Sequence, residues 1–324
     1  MIADRIIFPL QGEIAFEKIS LPSLSPHEIQ VETLYSVISP GTELAFLRAL
    51  PNTSATYPFY PGYTACARVS AIGRDVKEFK EGQIVAAWMP HASAAVIDAK
   101  LCWPIPPHLS ANEASAFRLL SIALQGVRKA QIQLGQSVAV FGLGVIGNLA
   151  GQVARNAGAT HVVGIDPVVW RRDIALQCGF DATLNSSDIS DSLNPPEEFD
   201  VVIDATGLPE VIPQAFALTA RMGRTVLLGS TRGITGGVNF YRDVHKKGLT
   251  VIGAHESIRA NSEDFGHLAT HHSDGRTALQ LMVAKRVATL PLLSLELPAS
   301  QAKEAYSRLM DKTEKLLSVV LKWQ

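Results

Sequence analysis

The sequence predicts a two-domain α/β protein, with an irregular all-β unit first and a doubly wound parallel sheet second. Three observations lead there. Residues 1–110 hold short β-branched runs punctuated by Pro and Gly. From Ser110 onward, apolar strands alternate with helix-length segments. A glycine-rich loop marks the first strand-to-helix junction of that alternation. The 324 residues exceed one average domain, and 47% hydrophobic with 18% charged content suits a sizeable core.

The elements follow in order. Runs at Ile29–Tyr35, Ala65–Ile72 and Gln83–Ala87 read as strands. Prolines such as Pro22, Pro26, Pro40, Pro58, Pro61 and Pro90 exclude long helices from this part. Ser110-Ala-Asn-Glu113 resembles a capping box, and helix-friendly residues continue to about Ala130. Then come the strand Ser137–Phe141, a helix through Gly158, the strand His161–Asp166, a helix through Gly179, and the strand Val201–Asp204. A helix to about Met222 and the strand Thr225–Leu228 complete the series. Such alternation implies a parallel sheet covered on both faces. Helices near Ala278–Lys285 and Ala299–Met310 precede an apolar strand, Leu316–Leu321, which is expected to return to the first domain. The expected division is 1–121, 122–270 and a returning 271–324.

Composition excludes several classes. A net charge of −1 speaks against a dedicated nucleic-acid or anionic-membrane binder, since both need a basic surface. No stretch reaches the roughly 20 apolar residues of a membrane span, and the N-terminus does not read as a signal peptide. Three cysteines (Cys66, Cys102 and Cys178) lack metal-knuckle or redox spacing and suit a reducing cytoplasm.

Gly142-Leu-Gly144-Val145-Ile146-Gly147 is the strongest motif, because it follows the strand SVAVF and opens the helix NLAGQVARNAG. Gly142 permits the tight turn, Gly144 lets a pyrophosphate approach, and Gly147 lets helix and strand pack closely. The helix N-terminus offers unpaired N–H groups to phosphate. A glycine-rich turn without a ligand is the alternative. Asp166 ends the second strand, 24 residues after Gly142, where an acid accepts hydrogen bonds from ribose hydroxyls and repels a 2′-phosphate. This favours NAD, with NADP kept open by Arg171-Arg172 just downstream; the alternative for Asp166 is a helix N-cap. Asp204-Ala-Thr206-Gly207 and Leu228-Gly229-Ser230 end later strands, where ligands gather in open α/β sheets.

Together, GLGVIG, the Asp166 strand, DATGLPE…MGRTVLLGS, KEFKEGQIVAAW and LSANEASAF resemble the medium-chain dehydrogenase/reductase family over essentially the whole chain. The resemblance implies a GroES-like β domain, a Rossmann domain, nicotinamide-dependent hydride transfer and a homodimer. It also implies that Arg171 lies beside the ribose with Asp166. The VIGAHE stretch would meet the nicotinamide amide through backbone, His255 included. Thr250–Ile252 would be the edge for pairing.

The resemblance breaks at the metal. Zinc-dependent members carry ligands where this chain has Pro40, Tyr63 and Phe117, none of which can replace Cys or His around tetrahedral zinc. The four cysteines of the family's structural-zinc lobe are also missing, so both metals are expected to be absent. Without zinc, a side chain must polarise the substrate oxygen. Tyr63, at the vacated histidine position, is one candidate; a tyrosine filling volume is the alternative. Thr42 matches the family hydroxyl that bonds the substrate oxygen, the alternative being a turn cap. His91 is a candidate acid or base or else a surface-loop histidine, beside Trp88 and Met89 as apolar walls. Arg118 could bind an acidic substrate. His267, His271 and His272 read as a solvated face. The expected function is zinc-independent NAD(P)-dependent oxidation of a small secondary alcohol or the reverse reduction. A metal-free enoyl or quinone reductase and a non-enzymatic cofactor-binding protein are the alternatives.

Overall fold

The computed structural model describes residues 1–189, 198–259 and 269–324. These form two compact units. One comprises Met1–Leu119, the described part of 260–285, and Leu292–Gln324; the other comprises the described part of Leu120–Arg259 with Arg286–Pro291.

In the first unit, β1 (Ile2–Ile7) and β2 (Ala15–Ser20) form an antiparallel pair. Next come β3 (Glu28–Ile38), the helix α1 (Pro40–Leu47), β4 (Ala65–Ile72), β5 (Ile84–Ala87), β6 (Ala94–Asp98) and β7 (Cys102–Pro104). The helix expected from Ser110 to Ala130 is instead split into α2 (Ala111–Ala114) and α3 (Phe117–Ala130). Ser110 caps the start as predicted, accepting from Glu113 N at 3.2 Å. The break has a local cause. Thr64 Oγ1 donates to the Ser115 carbonyl at 2.5 Å, and Leu119 N turns to Ala116 O at 3.0 Å. A side-chain hydroxyl thus occupies the acceptor that a continuous helix would use.

The second unit runs β8 (Ser137–Phe141), α4 (Val145–Asn156), β9 (His161–Ile165), α5 (Val169–Gln177), β10 (Ala182–Leu184), β11 (Phe199–Asp204), α6 (Val211–Leu218), β12 (Thr219–Leu227) and β13 (Thr250–Gly253). All ladders are parallel, in the order β10-β9-β8-β11-β12-β13. This is the doubly wound arrangement, with the strand order reversing beside β8. The helix expected to reach Met222 ends at Leu218. Thr219 is already extended, and Met222 has a positive φ of 61°, so this stretch cannot continue as a helix.

The chain then supplies α7 (His271–Val283), β14 (Leu295–Pro298), α8 (Ala302–Met310) and β15 (Val319–Lys322). α7 starts earlier than its apolar pattern suggests, because Thr270 and Ser273 form a reciprocal capping box. The final strand does return: β15 pairs antiparallel with β3 in a sheet ordered β14-β15-β3-β4-β5-β7, with β6 also on β3. Arg286–Pro291 stay with the second unit, where Gln152 accepts from Ala288 N at 2.7 Å and donates to Ala288 O at 3.1 Å. Among the described residues, no helix is long and apolar enough to cross a membrane.

β15 also builds core. Val319 and Leu321 pack with Ile6, Phe8, Ile38, Leu47 and Tyr306, all buried. Leu321→Ala is therefore expected to cost about 2–5 kcal/mol. Urea unfolding should show this in the first unit's transition, with dinucleotide binding by the second unit unchanged.

Candidate active site

The candidate nucleotide-binding loop is set by backbone contacts. Gly142 has φ +85°, and its N–H donates to Ile165 O at 2.8 Å, which joins the loop to the end of β9. A Cβ at Gly147 would lie 1.8 Å from Gly142 O, so only glycine lets α4 sit this close to the loop. A Cβ at Gly144 would meet nothing within 4 Å. Its space is open where a ligand's backbone approach is required. Gly144 is the N-cap of α4, with no side-chain cap and no acidic residue in the first turn. The helix therefore keeps the N–H groups and positive end that suit a pyrophosphate. Val145 is buried, and Ile146 is half-buried in that first turn.

Asp166 is buried with both oxygens engaged: Oδ2 accepts from Leu143 N at 2.9 Å and Oδ1 from Val168 N at 2.8 Å. The N-cap of α5 is Val168, so Asp166 forms a turn before the helix and does not cap it. An ionised carboxylate has about four acceptor positions, so these bonds leave capacity for hydroxyls. The two arginines differ in a way the sequence does not reveal. Arg172 is committed to Asp166 O at 2.7 Å, whereas Arg171 Nη1 lies 3.7 Å from Asp166 Oδ2 and is 37% exposed.

At the end of β11, Asp204 Oδ1 accepts from Thr206 N at 2.9 Å and from its hydroxyl at 2.6 Å. Asp204 Oδ2 is buried without a hydrogen-bond partner, and burial pushes the carboxyl pKa upward. Thr206 thus spends its hydroxyl locally. Gly229 approaches Gly207 so closely that a Cβ would lie 2.6 Å from Gly207 N, which locks DATG against LGS. Ser230 is exposed. His255 is exposed as well; its carbonyl accepts from Gln125 Nε2 at 3.0 Å, and its ring meets Ser257 Oγ at 2.8 Å.

The candidate catalytic residues lie in the first unit. Ser39 precedes α1, which begins at Pro40 where a missing N–H costs nothing. Thr42 and Tyr63 are half-buried, and the Tyr63 hydroxyl donates to Ser39 Oγ at 2.5 Å. His91 is not a surface-loop histidine: it is fully buried, with both ring nitrogens used. Nδ1 meets Ser36 Oγ at 2.8 Å and Nε2 meets Glu43 Oε2 at 3.1 Å. No ring nitrogen remains for a substrate, so His91 holds the site's frame. Gly62, with φ +93°, passes so close that a Cβ would sit 2.5 Å from His91 N.

The sequence reading missed Glu43 and Tyr306. Glu43 is 1% exposed and accepts from Ser39 N at 2.7 Å, from His91, and from the Tyr306 hydroxyl. Tyr306 is held far above the usual phenol range by burial and then by the neighbouring Glu43 charge. Trp323 Nε1 extends the chain by donating to Ser36 Oγ at 2.9 Å. An acid inside Ser-Pro-Gly-Thr-Glu was visible in the sequence, but nothing there links it to residues 91 or 306.

Two other expectations are corrected. Arg118 is fully buried, its guanidinium 3.8 Å from the Trp88 ring centroid and donating to His271 Nδ1 at 3.1 Å. His271 and His272 are no solvated face. His271 is buried beside Trp88, and His272 stacks on Trp103 with centroids 5.5 Å apart. Burial, then Arg276, lowers the His272 pKa, opposed by Glu78. His267 lies outside the described residues.

At the positions where the resemblance would put zinc ligands the chain carries Pro40, Tyr63 and Phe117. Among the described residues, no group of three or more His, Cys, Asp or Glu could hold a metal ion. Phe117 is fully buried in apolar surroundings, and burial pushes the Cys66 thiol up to about 12, far from a ligating thiolate.

A profile described as "Zinc-binding dehydrogenase" matches residues 145–270. D-guloside 3-dehydrogenase of Escherichia coli is 28% identical over 202 residues, 60% of this chain and 58% of that protein. (R,R)-butanediol dehydrogenase of Bacillus subtilis is 25% identical over 260 residues, 67% of this chain and 75% of that one. Among solved structures, a Sinorhizobium meliloti protein described as a zinc-binding dehydrogenase bound to NADP superposes with TM-score 0.84, 21% identity and complete coverage of both chains. The chain thus shares the fold of these dehydrogenases and is similar in sequence to zinc-binding dehydrogenases over residues 145–270. The chain spans 58% of the guloside dehydrogenase it matches.

The two loop glycines make opposite predictions. Gly144→Ala should leave thermal unfolding of the second unit unchanged and weaken dinucleotide binding at least about tenfold, about 1.4 kcal/mol, in a fluorescence titration. Gly147→Ala should instead lower the melting temperature.

Proposed function

We propose that the chain is a zinc-independent NAD(P)-dependent oxidoreductase that interconverts a small secondary alcohol and its ketone. The observation that carries this reading is the Tyr63 hydroxyl held on Ser39 at the turn before α1, in a chain whose residues at the resembled family's metal positions are Pro40, Tyr63 and Phe117. The dinucleotide is proposed to rest on Gly142, Gly144, Val145, Ile146 and Gly147, with Asp166 and Arg171 at the ribose. Thr206, Gly229, Ser230 and His255 would line the nicotinamide half through their backbones. When bound, the nicotinamide supplies a hydride acceptor or donor. The chain's own part is to orient the alcohol and move its proton.

In this reading the Tyr63 hydroxyl turns its proton from Ser39 Oγ to the substrate oxygen and accepts from the Ser39 hydroxyl in exchange, while Thr42 relays the alcohol proton, accepting at Oγ1 as its own hydroxyl proton passes to solvent. A neutral phenol is a hydrogen-bond donor that can do part of a Lewis acid's polarising work. Asp166 favours NAD. Arg171, partly exposed at 3.7 Å, offsets that charge and supports use of NADP as well. The same missing ligands favour a second reading, reduction of an enoyl compound or quinone, because hydride addition to a conjugated alkene needs no metal.

The test is a panel assay. Secondary alcohols and polyols with NAD or NADP, compared with 2-enoyl compounds and quinones with NADH or NADPH, should show turnover in the first set. EDTA should leave the rate unchanged; loss of activity restored by zinc would overturn the metal-free reading. Tyr63→Phe should lower kcat by about 10²-fold or more, and unchanged turnover would remove Tyr63 from the mechanism.

We also propose a homodimer formed along β13. This is an edge strand, Val251 on it is 40% exposed, and Met222, Phe240 and Tyr241 are exposed apolar residues of the same unit. Light scattering after size exclusion should give twice the chain mass, falling to the monomer in Val251→Asp.

A further inference from the structure

The polar cluster behind Tyr63 is more elaborate than packing requires. Glu43 is a carboxylate with almost no exposure, and such a group persists only if donors compensate for lost water. It has three: Ser39 N–H on Oε1, and His91 Nε2 and the Tyr306 hydroxyl on Oε2. Each comes from a different part of the first unit. Ser39 lies at the β3-to-α1 junction, His91 between β5 and β6, and Tyr306 on α8. His91 is held in turn by Ser36, and Ser36 by Trp323. Toward Tyr63 the network leads through Ser39. Its backbone is fixed by Glu43 while its Oγ accepts the Tyr63 hydroxyl at 2.5 Å.

We infer that Glu43 is a positioning residue. Braced by His91 and Tyr306, it fixes the Ser39 turn and so aims the Tyr63 hydroxyl. This rests on the proposed role of Tyr63. The charge on Glu43 matters as well as its shape, because a carboxylate accepts from three donors at once, whereas a carboxamide must turn its NH₂ toward one of them. Ser39 does not cap α1 with its side chain, so its hydroxyl is left to serve Tyr63. His91 therefore enters the chemistry through Glu43 and Ser39.

The experiment uses the full chain labelled with 3-fluorotyrosine and read by ¹⁹F NMR. Tyr63→Phe and Tyr306→Phe identify the two resonances by their loss. Both Ser39→Ala and Glu43→Gln should move the Tyr63 resonance by more than its linewidth, and Ser39→Thr should restore it. If Glu43→Gln moves the Tyr306 resonance but leaves Tyr63 in place, the inference is overturned. If Glu43→Gln does not fold, the Ser39 pair carries the test: an unmoved Tyr63 resonance in Ser39→Ala overturns it equally. Turnover separates the two readings. Ser39→Ala should lower kcat with KM little changed, and the Ser39→Ala/Tyr63→Phe double variant should be no slower than Tyr63→Phe. Should Tyr63→Phe leave turnover unchanged while the NMR coupling holds, the catalytic reading fails and the positioning geometry stands.

Discussion

A single buried carboxylate organises the first unit. Glu43 cannot lie in that interior uncompensated, because removing a charge from water costs several kcal/mol even after relaxation. Its three donors come from segments 4, 48 and 263 residues away, so satisfying it requires the chain to have closed, with the return strand and the last helix in place. The hydrogen bonds thus act as a check on the completed fold. They tie the C-terminal α8 and, through Ser36 and Trp323, the last residues to the turn that holds Thr42 and Ser39. Hydrophobic burial around Phe8, Ile38, Leu47, Tyr306 and Leu321 supplies the driving force, and the polar chain specifies the arrangement.

The second unit meets a different constraint. Its site is made of main chain, and what matters there is how closely backbones can approach. Gly147 against Gly142, Gly207 against Ser230, and Gly229 against Gly207 are contacts no side chain permits. They stack the ends of β8, β11 and β12 into one rim, and the open space at Gly144 is left for a ligand. Asp166 serves the same rim twice. It bonds the loop at Leu143 and its own turn at Val168, so the acid that would meet a ribose also holds the loop in shape.

The three positions where the resemblance would put metal ligands are each settled by local packing or bonding. Pro40 is favourable as the first residue of α1, Phe117 is buried against the Trp103 ring, and Tyr63 donates to Ser39. Each of these side chains has its own local partner or packing. Arg118 follows the same logic. This buried cation, next in sequence to Phe117, is kept by stacking on Trp88 and by donating to His271.

Local pattern was enough to determine the alternating strands and helices, the dinucleotide loop and the returning last strand. These depend on periodicity, glycine geometry and apolar runs, which neighbouring residues carry by themselves. The end of α6, the break between α2 and α3, and the early start of α7 were less legible, since Thr64, Met222 and Thr270 act through single hydrogen bonds or backbone angles. At the site, sequence could nominate Tyr63, Thr42, Asp166 and the glycines by type and place. It could not assign His91 to the frame, separate Arg171 from Arg172, or find Tyr306. Those outcomes depend on which polar groups meet once water is excluded, and only the tertiary structure brings residues 39, 43, 91 and 306 together to decide them.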